Sequence, residues 1–137
     1  MIVADSDVLI DYLAGIEPAA GRVALELQHG QLGTTAVTRA ELLRGARTAR
    51  QLKATRALLD ALGTLPLDVA AADRAGEIAR TLDADGQRIG MADALIAGIV
   101  LANGGLLLTR NRRHFDRIPG LTLSVMAAPA SDPSASS

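Results

Sequence analysis

Three carboxylates occupy positions in the sequence from which they could act together on one substrate. Asp5 ends an apolar run at the N-terminus, Glu41 opens a helix after a Thr-rich run, and Asp93 lies in the first turn of an apolar helix. Each also has an ordinary structural explanation. Asp5 is a favoured helix cap, and Asp93 complements the positive end of a helix dipole. Glu41 completes the pattern of a capping box with Thr38.

Taken together, the three acids favour a metal site. The helix that carries Asp93 is apolar over most of its length, and a charge in a water-excluded helix is costly unless it meets a partner. No Lys lies nearby to supply one. Carboxylates that converge on one point repel each other, and Mg²⁺, which prefers oxygen ligands, removes that repulsion. Such a site activates a water and stabilises the oxygen that leaves a phosphodiester.

The elements that would position these acids alternate between strands and helices. Several predicted strands are continuous apolar runs, which is typical of a parallel sheet covered by helices on both faces. In such a sheet the site lies beyond the carboxyl ends of the strands, where Asp5 is placed. The predicted strands cover 1–4, 32–37, 64–67, 106–109 and 121–125. The predicted helices are centred on 8–13 and cover 18–29, 38–48, 49–62, 70–84 and 91–103.

Length and composition exclude several other classes of protein. The 137 residues suit one domain, and the absence of Cys excludes a thiol nucleophile, a disulfide framework and Cys-ligated zinc. Thirteen Arg and one Lys nearly balance fifteen acids, so any contact with nucleic acid must come from local basic patches. The only aromatic residues are Tyr12 and Phe115, which argues against a platform that stacks bases.

The two ends of the sequence predict where the domain lies. No signal peptide is expected, because Asp5, Asp7 and Asp11 interrupt the segment where its apolar core would lie. The longest apolar stretch, around 94–102, is far short of a membrane span, so we expect a cytoplasmic protein without membrane contact. The tail over 127–137 is rich in Ala, Ser and Pro and is expected to be disordered.

Four blocks of the sequence carry a resemblance to a known family. The segments are MIVADSDVLIDYL at 1–13, TRAELLRG at 38–45, MADALIAG at 91–98, and LLTRNRRHF at 107–115 followed by IPGL. In this order and spacing they resemble the PIN-domain ribonucleases of the VapC type, which are the toxins of bacterial toxin–antitoxin pairs. The resemblance spans residues 1 to about 125 and implies a single PIN domain over 1–126.

The resemblance also implies a set of site residues. It implies an endoribonuclease that depends on Mg²⁺ or Mn²⁺, with the acidic site residues Asp5, Glu41 and Asp93. Ser6 matches the family's small hydroxyl position, which helps to shape the metal site. The family often has a fourth acid where this sequence has Asn111, an amide that can bind a metal water but brings no charge. Asp116 lies close by and is a second candidate for a supporting role.

Basic residues adjoin two of the segments that would form the site. One run surrounds Glu41, and a second surrounds Asn111. Arg is suited to bidentate contact with phosphate, so we expect part of these runs to bind the RNA backbone. The residues expected to contact RNA are Arg112, Arg113 and Arg44. His29 and His114 are too few for a zinc site and are interpreted as surface residues, although His114 could touch the substrate.

The resemblance implies two kinds of protein partner. A two-fold homodimer is expected, because Leu9, Leu13 and Leu58–Leu59 exceed what one thin core needs. A cognate antitoxin is expected to place a basic side chain among the carboxylates and to lay an amphipathic helix along the helices between 41 and 62. The complex would then be a heterotetramer or larger.

Two other functions are consistent with part of the sequence. Asp5–Ser6–Asp7 after an apolar strand matches the DxD motif of a haloacid-dehalogenase-like phosphatase. That class also needs a Lys at the site, and Lys53 lies in an amphipathic helix away from any strand end. The second alternative is a PIN-fold binding module with little or no cleavage. It is considered because Asn111 is uncharged where an acid is expected.

Overall fold

A computed structural model describes residues 1–126, and it contains one parallel sheet. The strands are β1 (Ile2–Ala4), β2 (Leu32–Thr35), β3 (Gly63–Leu65), β4 (Leu106–Leu108) and β5 (Thr122–Leu123). The helices are α1 (Ser6–Leu13), α2 (Ala19–His29), α3 (Ala36–Gly45), α4 (Ala49–Ala61), α5 (Val69–Ala84), α6 (Met91–Asn103) and α7 (Arg112–Phe115). The strand order is β3-β2-β1-β4-β5, and every pairing is parallel.

The central strand β1 brings distant segments to one edge of the sheet. Its residue Ala4 pairs with Leu108 of β4, and its residue Val3 pairs with Gly33 of β2. Because parallel strands share a direction, their carboxyl ends meet at the same edge. The segments that follow β1, β2 and β4 therefore lie side by side.

Each face of the sheet has its own apolar core. Successive side chains of a strand point to opposite faces, so Ala4 and Leu108 join one core while Val3 and Leu107 join the other. The first core is completed by residues of α1, α2, α3 and α4, and the second by residues of α5, α6 and α7. The predicted parallel sheet with helices on both faces is confirmed.

Helices α5 and α6 pack closely through Gly98. A Cβ added at Gly98 would lie 2.5 Å from the carbonyl oxygen of Ala71, well inside van der Waals contact. This close approach fixes α6 against α5, and α6 carries Asp93 in its first turn. The packing of a small residue therefore determines where a candidate site residue sits.

Two local predictions were wrong at the start of α3. The predicted strand over 32–37 ends at Thr35, which caps the helix, and its Oγ1 accepts a hydrogen bond of 3.1 Å from the Thr38 amide. Thr38 is buried inside the helix, so it forms no capping box with Glu41. The sequence offers two Thr residues three apart, and either one could have capped. The structural explanation for Glu41 therefore disappears.

Other differences concern a short helix and the apolar surface. The four-residue helix α7 was not predicted, since so short a segment has no hydrophobic period. Leu9, Leu58 and Leu59 are buried in the core of the monomer. They are therefore not surplus apolar side chains, and that argument for a dimer is wrong for these three residues. Leu13 is 38% exposed.

Within residues 1–126, no helix is both long and apolar enough to cross a membrane. The tail over 127–137 lies outside the described residues.

Candidate active site

Asp5 lies at the end of β1 and is the most buried acid of the candidate site. It is only 4% exposed, and it caps α1 as predicted: its Oδ1 accepts a hydrogen bond of 2.7 Å from the Ser6 amide. Its Oδ2 accepts a bond of 2.8 Å from the hydroxyl of Thr109, which directly follows β4. Thr109 is not among the site residues predicted from the sequence. Its signal was a hydroxyl residue directly after a fully apolar strand at the carboxyl edge of the sheet.

The surroundings of Asp5 disfavour its charged form. Burial and the neighbouring Asp7 carboxylate raise the pKa of Asp5 to about 6, and Asp93 adds to the increase. The hydrogen bonds from Thr109 and Ser6 lower this pKa, but they do not offset the effect of burial. A buried carboxylate in the field of two others is the electrostatic pattern that a bound cation relieves.

Glu41 joins this edge of the sheet through Ser6. The Ser6 hydroxyl donates a hydrogen bond of 2.7 Å to Glu41 Oε1 and also lies 3.2 Å from the hydroxyl of the buried Thr38. Glu41 itself is exposed. Ser6, which was expected to shape the site, therefore connects the acid on α3 with the segment that follows β1.

Asp93 lies in the first turn of α6 and contacts a residue of α7. Its Oδ2 is 3.1 Å from His114 Nδ1, and the two side chains are 26% and 56% exposed, respectively. The prediction that His114 is a surface residue is confirmed, but its contact with Asp93 was not predicted. No pattern in the sequence places these residues together, because the position of α7 depends on tertiary packing.

Asp7 and Asp11 connect α1 to the segment after β4. The Arg110 amide donates a bond of 3.1 Å to Asp7 Oδ2, and the Arg110 Nε lies 3.3 Å from Asp11 Oδ2. Asp7 Oδ1 is buried and has no hydrogen-bond partner within residues 1–126. Burial raises the pKa of Asp7. An unsatisfied carboxylate oxygen beside Asp5 leaves an acceptor available for a cation or its waters.

The acids fit a hard divalent cation by their chemistry. In the described part of the chain, no three His, Asp or Glu side chains form a ready-made metal cluster. Glu41 instead contacts Ser6, and Asp93 contacts His114. Mg²⁺ does not require such a cage, since it keeps several waters and is held by one or two carboxylates together with substrate phosphates. The raised pKa of Asp5 and the free oxygen of Asp7 are consistent with this mode of binding.

The remaining predicted residues lie around α7 and at the end of α3. Asn111 caps α7, and its amide donates a bond of 3.1 Å to the Thr109 hydroxyl. Its side chain forms no hydrogen bond with the residues described here. Arg112 Nη1 binds the carbonyl oxygen of Ser124 at 3.1 Å. Three further predicted residues are exposed, namely Asp116, Arg113 and Arg44.

Comparison with known proteins agrees with this architecture. The model of the PIN domain family matches residues 2–121. Ribonuclease VapC10 of Mycobacterium tuberculosis is 36% identical over 115 residues, which are 84% of this chain and 86% of the relative. The tRNA(fMet)-specific endonuclease VapC of Shigella flexneri is 32% identical over 109 residues, which are 77% of this chain and 83% of the relative.

The fold of this chain is also similar to that of a solved structure. DNA-bound VapBC from Salmonella typhimurium is 26% identical, with a TM-score of 0.80 over 92% of this chain and 98% of that chain. The chain therefore belongs to the PIN domain family and is a nuclease of the VapC type. Ribonucleases of this family generally depend on a divalent metal ion. The phosphatase interpretation of Asp5–Ser6–Asp7 is accordingly set aside.

Proposed function

We propose that this chain is the toxin of a toxin–antitoxin pair and hydrolyses RNA phosphodiester bonds in the cytoplasm with Mg²⁺ or Mn²⁺. The observation that carries the proposal is the buried Asp5 carboxylate, whose pKa is raised to about 6 by burial and by neighbouring acids. A carboxylate so placed is stabilised by a cation. Its two hydrogen bonds, from Ser6 and Thr109, hold it in one orientation at the edge of the sheet.

The proposed roles of the acids follow from their contacts. Asp5 and Asp93 would hold the divalent cation, together with Glu41. When bound, such a cation supplies a Lewis acid that activates a water and stabilises the oxygen leaving the phosphodiester. Glu41 is exposed, and its Oε1 accepts a hydrogen bond from the Ser6 hydroxyl, so its carboxylate is held at one oxygen while the other could accept a hydrogen bond from a water. Asn111 and Asp116 would support the site from either end of α7.

The substrate would be bound through its phosphates. Arg113 and Arg44 are exposed, and an Arg fork binds phosphate oxygens bidentately. Arg112 gives one nitrogen to the Ser124 carbonyl, which orients the guanidinium and leaves its other donors for RNA. Because one relative is named a tRNA(fMet)-specific endonuclease, tRNA is the first RNA to test.

An antitoxin would bind where the site and an apolar cleft adjoin. The cleft has a volume of about 340 Å³ and lies among α1, α3 and α4. Apolar side chains and Glu41 line it together, including Ile10, Leu13 and Leu42. An amphipathic partner helix buries its apolar face in such a groove. The proposed complex contains a toxin homodimer and is a heterotetramer or larger. We therefore expect light scattering to give a dimeric mass for the free toxin.

Cleavage of labelled RNA by the purified chain tests the proposal. We expect cleavage with Mg²⁺ or Mn²⁺ and none in excess EDTA, with activity restored when the metal is added back. Asp5→Asn should be inactive, and Asp60→Asn, which alters an exposed acid on α4, should cleave normally. RNA binding without cleavage would instead support the binding module. Undiminished cleavage in EDTA would show that the metal mechanism is wrong.

A further inference from the structure

His114 contacts Asp93, but the metal site proposed above gives His114 no role. His114 Nδ1 lies 3.1 Å from Asp93 Oδ2, which is hydrogen-bond distance. Asp93 Oδ1 receives no hydrogen bond from any residue in the described part of the chain. One oxygen of the carboxylate is therefore held, and the other is available to a ligand.

Several contacts fix His114 in this position. Its amide donates to the Asn111 carbonyl at 3.1 Å, and its own carbonyl accepts a bond of 3.3 Å from Arg117 Nε. Arg117 Nη2 also donates to the Arg88 carbonyl at 2.7 Å, which ties the end of α7 to the segment preceding α6. The next residue, Phe115, is fully buried in the core beneath α6. The imidazole is thus carried by an element that is anchored on both sides.

We propose that His114 is a positioning residue of the metal site, a proposal that rests on the function proposed above. Its Nδ1–H holds the Asp93 carboxylate in the orientation in which Asp93 binds the divalent cation. A carboxylate on a first helical turn can rotate about its terminal bond, because that torsion has a broad energy profile. A hydrogen bond to one oxygen removes this freedom, and such partners of ligating carboxylates contribute to metal affinity.

The position of His114 also bears on the role of Asn111. The resemblance to the family implies a fourth acid at the position of Asn111, whose side chain forms no hydrogen bond with residues 1–126. One helical turn later, His114 contacts Asp93. The segment over 107–115 would therefore contribute a hydrogen-bond donor to the metal ligand Asp93, rather than a further metal ligand of its own.

The test compares two variants that carry the same amide group on side chains of different length. In His114→Asn the amide nitrogen lies near the position of Nδ1, whereas in His114→Gln it lies near that of Nε2. Mn²⁺ binding to the purified chain is measured by electron paramagnetic resonance, without RNA. His114→Ala and His114→Gln should weaken Mn²⁺ binding roughly tenfold, and His114→Asn should restore most of it. His29→Ala, an exposed His at the end of α2, should change nothing.

The outcomes separate this proposal from the proposed function. If the wild-type chain binds Mn²⁺ and cleaves RNA while His114→Ala binds Mn²⁺ equally well, His114 is not a positioning residue and the function stands. A raised KM for RNA with unchanged Mn²⁺ affinity would show instead that His114 contacts the substrate. Equal losses in the Asn and Gln variants would also overturn the proposal, because donor position would then be irrelevant. If the wild-type chain neither binds Mn²⁺ nor cleaves, both proposals fail together.

Discussion

Thr109 donates a hydrogen bond of 2.8 Å to Asp5 Oδ2, although the two residues are 104 positions apart in the chain. The parallel pairing of β1 with β4 explains the contact, because Ala4 and Leu108 are partners and the next residues leave the sheet together. Both side chains are buried. Thr109 therefore determines how the least accessible acid of the site is oriented.

Removing the Thr109 hydroxyl should destabilise the protein. Thr109→Val keeps the shape of the side chain but leaves Asp5 Oδ2 and the Asn111 amide without a partner. A hydrogen bond to a charged group contributes about 1.5–3 kcal/mol, so we expect a loss of about 2 kcal/mol in unfolding free energy at neutral pH. Urea unfolding measures this loss. Thr109→Ser keeps the hydroxyl and should recover most of the stability; equal losses in both variants would rule out the hydrogen bond as the cause.

The pKa of Asp5 predicts how the stability of the metal-free protein depends on pH. Burial and then Asp7 raise this pKa from 3.8 to about 6, so the folded state holds the proton more tightly than the unfolded state does. The resulting stability is present in full below pH 3.8 and is lost as the pH rises through 6. The difference in pKa corresponds to about 3 kcal/mol.

Asp5→Asn tests this pH dependence. Asn is also a good helix cap, so the variant removes the charge while keeping the cap. In EDTA at pH 7.5 its unfolding free energy should exceed that of the wild type by about 2–3 kcal/mol, and the difference should vanish near pH 4. Asp60→Asn removes an exposed carboxylate and serves as the control. The same gain at both pH values would contradict the predicted titration.

The corrected start of α3 leads to a prediction for Glu41. Because Thr35 caps the helix and Glu41 is exposed, Glu41→Ala should change unfolding free energy by no more than about 0.5 kcal/mol. Cleavage should nevertheless be lost, since the acid held by Ser6 is gone. Urea unfolding and RNA cleavage are measured on the same preparation. A stability loss of about 1 kcal/mol, as a capping box would give, would contradict the structure.

The sequence predicted those parts of the site that depend on local patterns and strand order. Asp5 could be placed because an apolar strand ends there and parallel strands present their carboxyl ends together. The contact of Asp93 with His114 could not be predicted, because it depends on how α7 packs beneath α6. The cap of α3 was assigned to the wrong Thr because both candidates satisfy the local rule. Thr35 is the cap because it still pairs with Leu65 of β3 as the last residue of β2, and the helix begins directly after it.

The last prediction concerns competition between metal and antitoxin. Without metal, Asp5 and Asp93 form a negative site. Glu41 contacts Ser6, the residue next to Asp5, and also lines the apolar cleft. A basic side chain of a partner lying in that cleft would reach the same carboxylates, to which an Arg fork can bind bidentately. The partner and Mg²⁺ would then use the same oxygens. Raising Mg²⁺ should therefore weaken the complex or restore some cleavage.

A titration of the purified complex with Mg²⁺ measures dissociation and RNA cleavage together. A monovalent salt at matched ionic strength distinguishes competition at the site from general screening, because exposed charge pairs weaken with any salt. Asp93→Ala should weaken the complex as well as abolish cleavage, since it removes one of the shared carboxylates. Leu13→Ala should weaken the complex while leaving cleavage intact. Leu13 lines the cleft at the last residue of α1, whereas Asp5 lies at the first end of that helix and Asp93 lies on α6. If inhibition is indifferent both to Mg²⁺ and to the Asp93 substitution, the partner blocks the path of the RNA and does not bind the carboxylates.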